Sequence, residues 1–268
     1  MAIKMNKLLI SAVFLFWVFS LHGQGDLNEQ QRVFFRNERS FAILLNTDGY
    51  GLSYRGATRI DFLNKRIFEI EAGTLKHPKE YKQQTMYSSG GSYKYGKLNS
   101  PFYIRAGIGH QHEIFKKADL GGIAIRFFYT AGPVLALYKP IYYRIFYPLP
   151  GNQYEIKEEK FKISITQPQD IVSKASVTKG LNETRVTPGI FAKGGINFEY
   201  SKEDKIIHAI EIGAQINAFP KTIPIMASPD NKWLFFSLFV SYRFGMILDP
   251  LHPESNRLSN IFRKKKIN

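Results

Sequence analysis

Three sets of residues in this sequence have the types and spacing to do chemistry. His110-Gln111-His112 sets two imidazoles on one face of an extended segment, a two-point grip for a metal with no third ligand nearby. His77 shares a Tyr-, Lys- and Gly-rich stretch with Ser88 and Ser89. A histidine beside a serine is the pair that activates a hydroxyl in hydrolases and acyltransferases. The third set is larger. Arg55, Glu69, Glu71, Arg105, Arg126, Lys193, Glu199, Glu211 and Arg243 all fall on the polar side of stretches whose other side is apolar. Five are basic and four acidic, so they can neutralise one another. They read as structural ion pairs rather than as catalysts or a pore lining. The chain has 268 residues and no cysteine, which excludes a thiol nucleophile, a cysteine zinc site, a disulfide framework and a lipoprotein anchor. It has no phosphate-cradling loop, zincin His-Glu spacing, nucleophile elbow or EF-hand loop. No catalytic residue, cofactor or metal site is therefore expected.

The elements that carry the nine charges read as strands. From Trp233 to Phe244, one side is Leu234, Phe236, Leu238, Val240, Tyr242 and Phe244. The other side holds Ser237, Ser241 and Arg243 among Trp233, Phe235 and Phe239. A period of two is the mark of a strand. The same alternation places eight strands at 40–47, 50–56, 66–75, 101–110, 121–147, 189–200, 205–218 and 233–244. Parity switches at Asp48-Gly49, which predicts a two-residue hairpin turn there. Parity survives Gly132-Pro133 and Lys139-Pro140, which predicts one long, bent strand over 121–147.

The outward sets contain no acid and a single lysine, Lys139, which the long strand carries beyond the membrane. A basic residue facing lipid costs about 2–4 kcal/mol at the bilayer midplane. A charge-free face thus suits lipid. The balanced charged face suits a sealed lumen, and eight strands leave one just wide enough for side chains to fill. The expected fold is all-β: an eight-stranded antiparallel transmembrane β-barrel with long extracellular loops, preceded by a signal peptide. An even strand count puts both termini in the periplasm, with the turns 57–65, 111–120 and 201–204. The Asp48 tip, 76–98, 148–188 and 219–232 then lie outside the cell.

Lys4 and Lys7 precede an uncharged apolar run, Leu8 to Phe19, and Gly23 precedes a cut that leaves Gln24 first. The expected organisation is a cleaved signal peptide (1–23), a periplasmic lead-in (24–39), the barrel (40–245) and a basic periplasmic tail (246–268) ending in Arg263-Lys264-Lys265-Lys266. The formal charge of +15 becomes +13 once Lys4 and Lys7 are cut away. An exported protein does not meet nucleic acid, so anionic lipid head groups are the partners that this charge suits. Lys76, Lys79, Lys82, Lys94 and Lys97 are the candidate contacts to lipid or glycan phosphates.

The chain resembles the small outer-membrane barrels of the OmpA/OmpX type. More closely, it resembles an uncharacterised Bacteroidota outer-membrane β-barrel family. The residues that carry this are Arg36-Asn37-Glu38, Asn46-Thr47-Asp48-Gly49-Tyr50-Gly51, Lys76-His77-Pro78-Lys79-Glu80 and Lys179-Gly180-Leu181-Asn182-Glu183. The resemblance covers residues 32 to 245 and implies the fold and an outer-membrane location, with no assigned activity. The expected function is a closed-lumen envelope structural or interaction protein, or an accessory subunit of a secretion or assembly machine. Its expected partners are outer-membrane lipids and lipopolysaccharide, the barrel-assembly machinery during insertion, and an envelope protein. Transport of a small solute or hydrophobic compound is the first alternative. Lipid A modification, resting on His77 with Ser88 or Ser89, is the second.

Overall fold

A computed structural model describes residues 37–248, apart from 87–90, 119–120, 152, 163–166 and 202–204. The expected signal peptide, most of the lead-in and nearly all of the tail, with Arg263 to Lys266, lie outside the described residues. The strands among the described residues are β1 (Asn37–Asn46), β2 (Gly49–Arg59), β3 (Asn64–Thr74), β4 (Lys82–Gln84), β5 (Ser92–Lys94) and β6 (Asn99–Phe115). They continue as β7 (Ala124–Pro140), β8 (Tyr142–Leu149), β9 (Gln153–Lys160), β10 (Ile171–Lys174), β11 (Arg185–Glu199), β12 (Ile206–Ala218) and β13 (Leu234–Leu248). Eight of these close into an antiparallel barrel in the order β1-β13-β12-β11-β7-β6-β3-β2. The first strand pairs with the last over ten residues, from Asn37↔Leu248 to Asn46↔Phe239, so the barrel has no free edge.

Each wall strand is buried on one face and exposed on the other. The exposed side is the apolar one: Ile108, Ile190, Ile212, Phe236 and Leu238 are all more than half exposed. The buried side holds the polar residues. This inverts a water-soluble protein, whose ions face solvent. The outward face is charged only near strand ends. Lys139 lies at one rim, as expected. Arg39 and Arg66, at the starts of β1 and β3, are additional outward charges at the other.

Four sequence expectations need correction. The barrel strands run further than their hydrophobic cores, so β1 starts at Asn37 and β13 ends at Leu248. The first hairpin turns on Thr47-Asp48, since Asn46 pairs with Gly49. The parity switch is unaffected. Gly49 takes a φ of +155°, and a Cβ there would lie 2.3 Å from the Thr74 carbonyl oxygen, so the glycine serves a close strand approach. The stretch 121–147 is two strands. Pro140 offers no backbone donor to continue the ladder, and beyond it Ile141 turns its N–H to the Leu98 carbonyl (2.9 Å). Parity persists because the chain stays extended. Ile141, Tyr143 and Ile145, read as outward-facing, are instead buried.

Finally, the stretches 76–98 and 148–188 are not simply loops. β8 leaves the barrel and forms a sheet in the order β10-β8-β9, beside the small β4-β5 hairpin. Tyr93, Ile141, Tyr143, Ile145, Phe161 and Ile171 pack as its own core. Below this cap, the segment after β12 turns into the barrel mouth. Phe219, Ile223, Ile225 and Met226 pack against Tyr103, Val134, Phe191 and Phe235 of the inner wall. Asn231 ties this plug, accepting from the Ile225 and Met226 N–H groups and donating to the Met226 and Ser228 carbonyls. Among the described residues, the opposite end carries the connections between β2 and β3, β6 and β7, and β11 and β12.

The exposed position of Ile212 in mid-β12 makes a direct test. Ile212→Arg should cost about 2–4 kcal/mol of folding free energy in lipid vesicles, read by denaturant titration, if that face meets hydrocarbon. A face in water would tolerate the change with almost no loss.

Candidate functional site

All nine interior charges predicted from the sequence are buried within the barrel. They divide into two clusters. In the central one, Glu69 and Glu71 stand two apart on β3, facing Glu211 of β12. Arg55 donates to Glu211 (2.6 Å) and to Glu69 (2.9 Å). Arg243 donates through Nε to Glu211 Oε1 (2.9 Å) and through Nη2 to Glu69 Oε1 (3.1 Å). Its Nη1 and Nη2 also reach the hydroxyls of Ser40 and Ser53. Lys193 bridges Glu69 (3.1 Å) and Glu71 (2.8 Å). Arg105 and the Tyr103 hydroxyl both donate to Glu71 Oε1, each at 2.6 Å. Asn197 and Ser241 supply further donors to Glu211.

The second cluster lies toward the chain termini. Arg126 pairs with Glu199 and approaches Glu113 (3.7 Å) and Glu38 (4.0 Å). Lys65 pairs with Glu38, and Lys117 with Glu199 (2.9 Å). Glu38, Lys65 and Glu113 were absent from the sequence set because each lies outside the strand bounds drawn there. The signal was present. Lys65-Ile67-Glu69 and Arg105-Gly107-Gly109-Gln111-Glu113 continue the inward parity of β3 and β6 unbroken. The central cluster sets four cations against three carboxylates.

Aromatic rings fill the space that the ions leave. Arg55 lies over the Phe128 ring (4.3 Å), Arg105 over Phe191 (4.6 Å) and Lys193 over Phe239 (4.7 Å). A cation over a ring face gains from the ring quadrupole, the more so when water is excluded. This explains phenylalanines on the polar side of the strands. The arrangement is a set of fixed counter-ions.

Of the five lysines expected to meet phosphate, Lys79, Lys94 and Lys97 have acidic partners. Lys94 and Lys97 both bind Glu80, Lys97 at 2.8 Å and itself buried. Lys79 pairs with Asp230. Lys76 lies 5.4 Å from the Tyr50 ring centre, and Lys82 is exposed on β4. Burial alone would raise the Glu80 carboxyl, but hydrogen bonds from Lys94 and Lys97 outweigh it and hold its pKa below the ordinary value.

His77 is also engaged. The Lys79 N–H donates to its Nδ1 (3.2 Å), which leaves Nε2 to donate to the Asp230 carbonyl (3.2 Å). The ring thus clamps the stretch after β3 to the one before β13. Ser88 and Ser89 lie outside the described residues. His110 and His112 share the outer face as expected, where His112 Nδ1 bonds Asn64 Oδ1 (2.8 Å). Among the described residues, no group of three or more His, Asp or Glu side chains could hold a metal ion.

Fold and interior together define a class: a closed, eight-stranded antiparallel barrel with an apolar exterior and an ion-paired lumen. No protein-family model matches the chain, and no curated protein matches it. Solved structures are similar at a distance, three proteins among them. Ail, the attachment invasion locus protein of Yersinia pestis, aligns over 80% of this chain and 98% of its own, with 8% identity and a TM-score of 0.36. Neisserial surface protein A aligns over 80% and 97%, with 10% identity and a TM-score of 0.34. The N-terminal β-barrel domain of Pseudomonas aeruginosa OprF aligns over 80% and 98%, with 6% identity and a TM-score of 0.33. Likeness this remote carries no functional argument.

Two predictions follow from the geometry. Glu211→Gln leaves Arg55 and Arg243 with too little compensating charge and should cost about 3–5 kcal/mol of stability in vesicles. Adding Arg243→Gln should restore part of that loss, as a double-mutant cycle would read. At the cap, the folded pKa of Glu80 lies below its ordinary 4.5. Its stabilising contribution is therefore complete at pH values well above 4.5 and fades as pH falls through the folded value. Amide exchange around Lys94 to Lys97 should speed up as pH falls below 4.5, relative to exchange in β12, and Glu80→Gln should abolish that difference.

Proposed function

We propose that the chain is an outer-membrane barrel that serves as an envelope structural and interaction protein, working through its cap rather than through its lumen. The observation that carries this reading is the doubly closed interior. Paired ions and rings fill the middle, and Ile223 and Ile225, both fully buried, stop one mouth. An eight-stranded wall leaves no further room for a path. This favours a closed barrel over transport of a solute or hydrophobic compound. The apolar exterior supports a lipid setting, because a contiguous exposed apolar surface of this extent marks a membrane or protein contact. The basic start of the sequence and its apolar run support export.

In this reading the protein belongs with the OmpA/OmpX-type barrels and the Bacteroidota-type family whose short motifs it shares. Barrel-assembly machinery inserts it. Outer-membrane lipids, with lipopolysaccharide, surround it. The cap and its hairpin meet an envelope protein, which makes an accessory role in a secretion or assembly machine the natural setting. A non-enzymatic role is supported by His77, whose two ring nitrogens hold backbone groups.

Planar bilayers distinguish this reading from transport. The purified, folded chain should migrate faster unboiled than boiled in detergent gels and should add no steady conductance steps. Reproducible channel openings from folded protein would overturn it.

A further inference from the structure

Among the described residues the cap ends in one strand edge that no other strand covers, and we infer that β9 pairs through this edge with β9 of a second copy of the chain. The cap sheet has two edges, and they differ. β10 is four residues long and its pairing with β8 shifts register between Ile171 and Ser173. The Thr85 hydroxyl also donates to the Ile171 carbonyl (3.0 Å). Short length, a bulge, a covering side chain and charged residues are the usual protections of an edge. Of these β9 has only the charges, Glu155, Lys157, Glu158, Glu159 and Lys160, which admit a partner strand whose charges match them. It runs eight residues in unbroken register with β8, from Tyr142↔Lys160 to Leu149↔Gln153, and contains no proline. Its outer edge is joined to no other strand, and Tyr154 and Ile156 are 64% and 46% exposed. Such an edge is a template for an added strand.

The sequence of β9 selects the partner. When two identical strands pair antiparallel about a two-fold axis, residues opposite each other share a face, so one residue lies against itself at the centre. Centring on Glu155, Glu158 or Glu159 sets a carboxylate against its own copy. Centring on Lys157 sets two ammonium groups together and Glu155 against Glu159. Centring on Ile156 is different. Ile156 meets Ile156, Glu155 meets Lys157 on either side, and Tyr154 meets Glu158, with no like charges opposed. Opposite-charge and apolar cross-strand pairs stabilise a sheet, and like charges directly opposite destabilise it. Of the charged stretch Glu155 to Glu159, only the Ile156-centred register is free of repulsion. The result is a six-stranded sheet across two caps. It deepens the reading of the chain as an interaction protein and rests on it, with a second copy as the partner.

The absence of cysteine makes the test clean. Ile156→Cys in the full mature chain, purified in detergent and mildly oxidised, should give a disulfide-linked dimer, because opposed residues of an antiparallel pair lie within disulfide reach. Tyr154→Cys, opposite Glu158, should not. On the Ile156→Cys background, Lys157→Glu should lower dimer yield about tenfold by setting like charges opposite one another twice. Adding Glu155→Lys, which exchanges the charges, should restore it. Each sample is also run unboiled, so barrel folding is read independently. A folded barrel whose thiol stays free overturns the pairing without touching the barrel reading. Equal dimer yield with Lys157→Glu, no recovery on charge exchange, or capture of a different protein alone in native membranes would each overturn it too.

Discussion

Everything inside this barrel depends on Glu211 and the groups that hold it. Arg55, Arg243, Asn197 and Ser241 converge on its two oxygens from β2, β13 and β11. The Arg55 bond spans the lumen, because β2 and β12 are not neighbours in the wall. In the proposed lipid setting no apolar collapse drives the interior together, since hydrocarbon tails are as apolar as leucine. Polar contacts across the lumen take that role. A buried charge without a partner is very costly, so the network holds as a unit. It fixes which strands face each other, in addition to the ladders that fix which strands touch.

The same constraint explains the ring contacts and the plug. With ions along the axis, the remaining volume must be filled to protein density. Phe128, Phe191 and Phe239 fill it beside the cations. Toward the cap the filling becomes wholly apolar, from Tyr103 and Phe235 to Ile223 and Ile225. A barrel so filled fits the closed lumen proposed above. The cap has its own core and its own sheet and is joined to the plug through Leu98, Gly96 and their partners Ile225 and Ala227.

The wall was legible in the sequence because a barrel separates two solvents along every strand, and that separation imposes a period of two. Arg55, Glu69, Glu211 and Arg243 could be assigned to one lumen from parity alone. What parity does not mark is where a strand leaves the wall. Ile141, Tyr143 and Ile145 keep the alternation of β7, yet they line the cap core, since extended chain alternates in any sheet. Strand ends are hard to read for a related reason. Glu38 and Lys65 lie where the outward neighbours, Asn37 and Arg39, Asn64 and Arg66, are already polar, so the contrast that defines a strand fades. Lys79, Lys94 and Lys97 read as free cations because their counter-ions, Asp230 and Glu80, reach them only through the fold. His77 is similar: its partners come from backbone, which no side-chain pattern reveals.

The central claim is that the greasy side of each wall strand faces hydrocarbon and the ionic side faces a dry interior. Nitroxide labels placed one at a time from residue 234 to residue 244 of the cysteine-free chain, folded in vesicles, read this directly. Collision with dissolved oxygen should be high at the even positions in mid-strand and low at the odd ones, while a water-soluble relaxing agent should reach neither. An even pattern of oxygen access, or water-soluble agent at Leu238 and Val240, would contradict it.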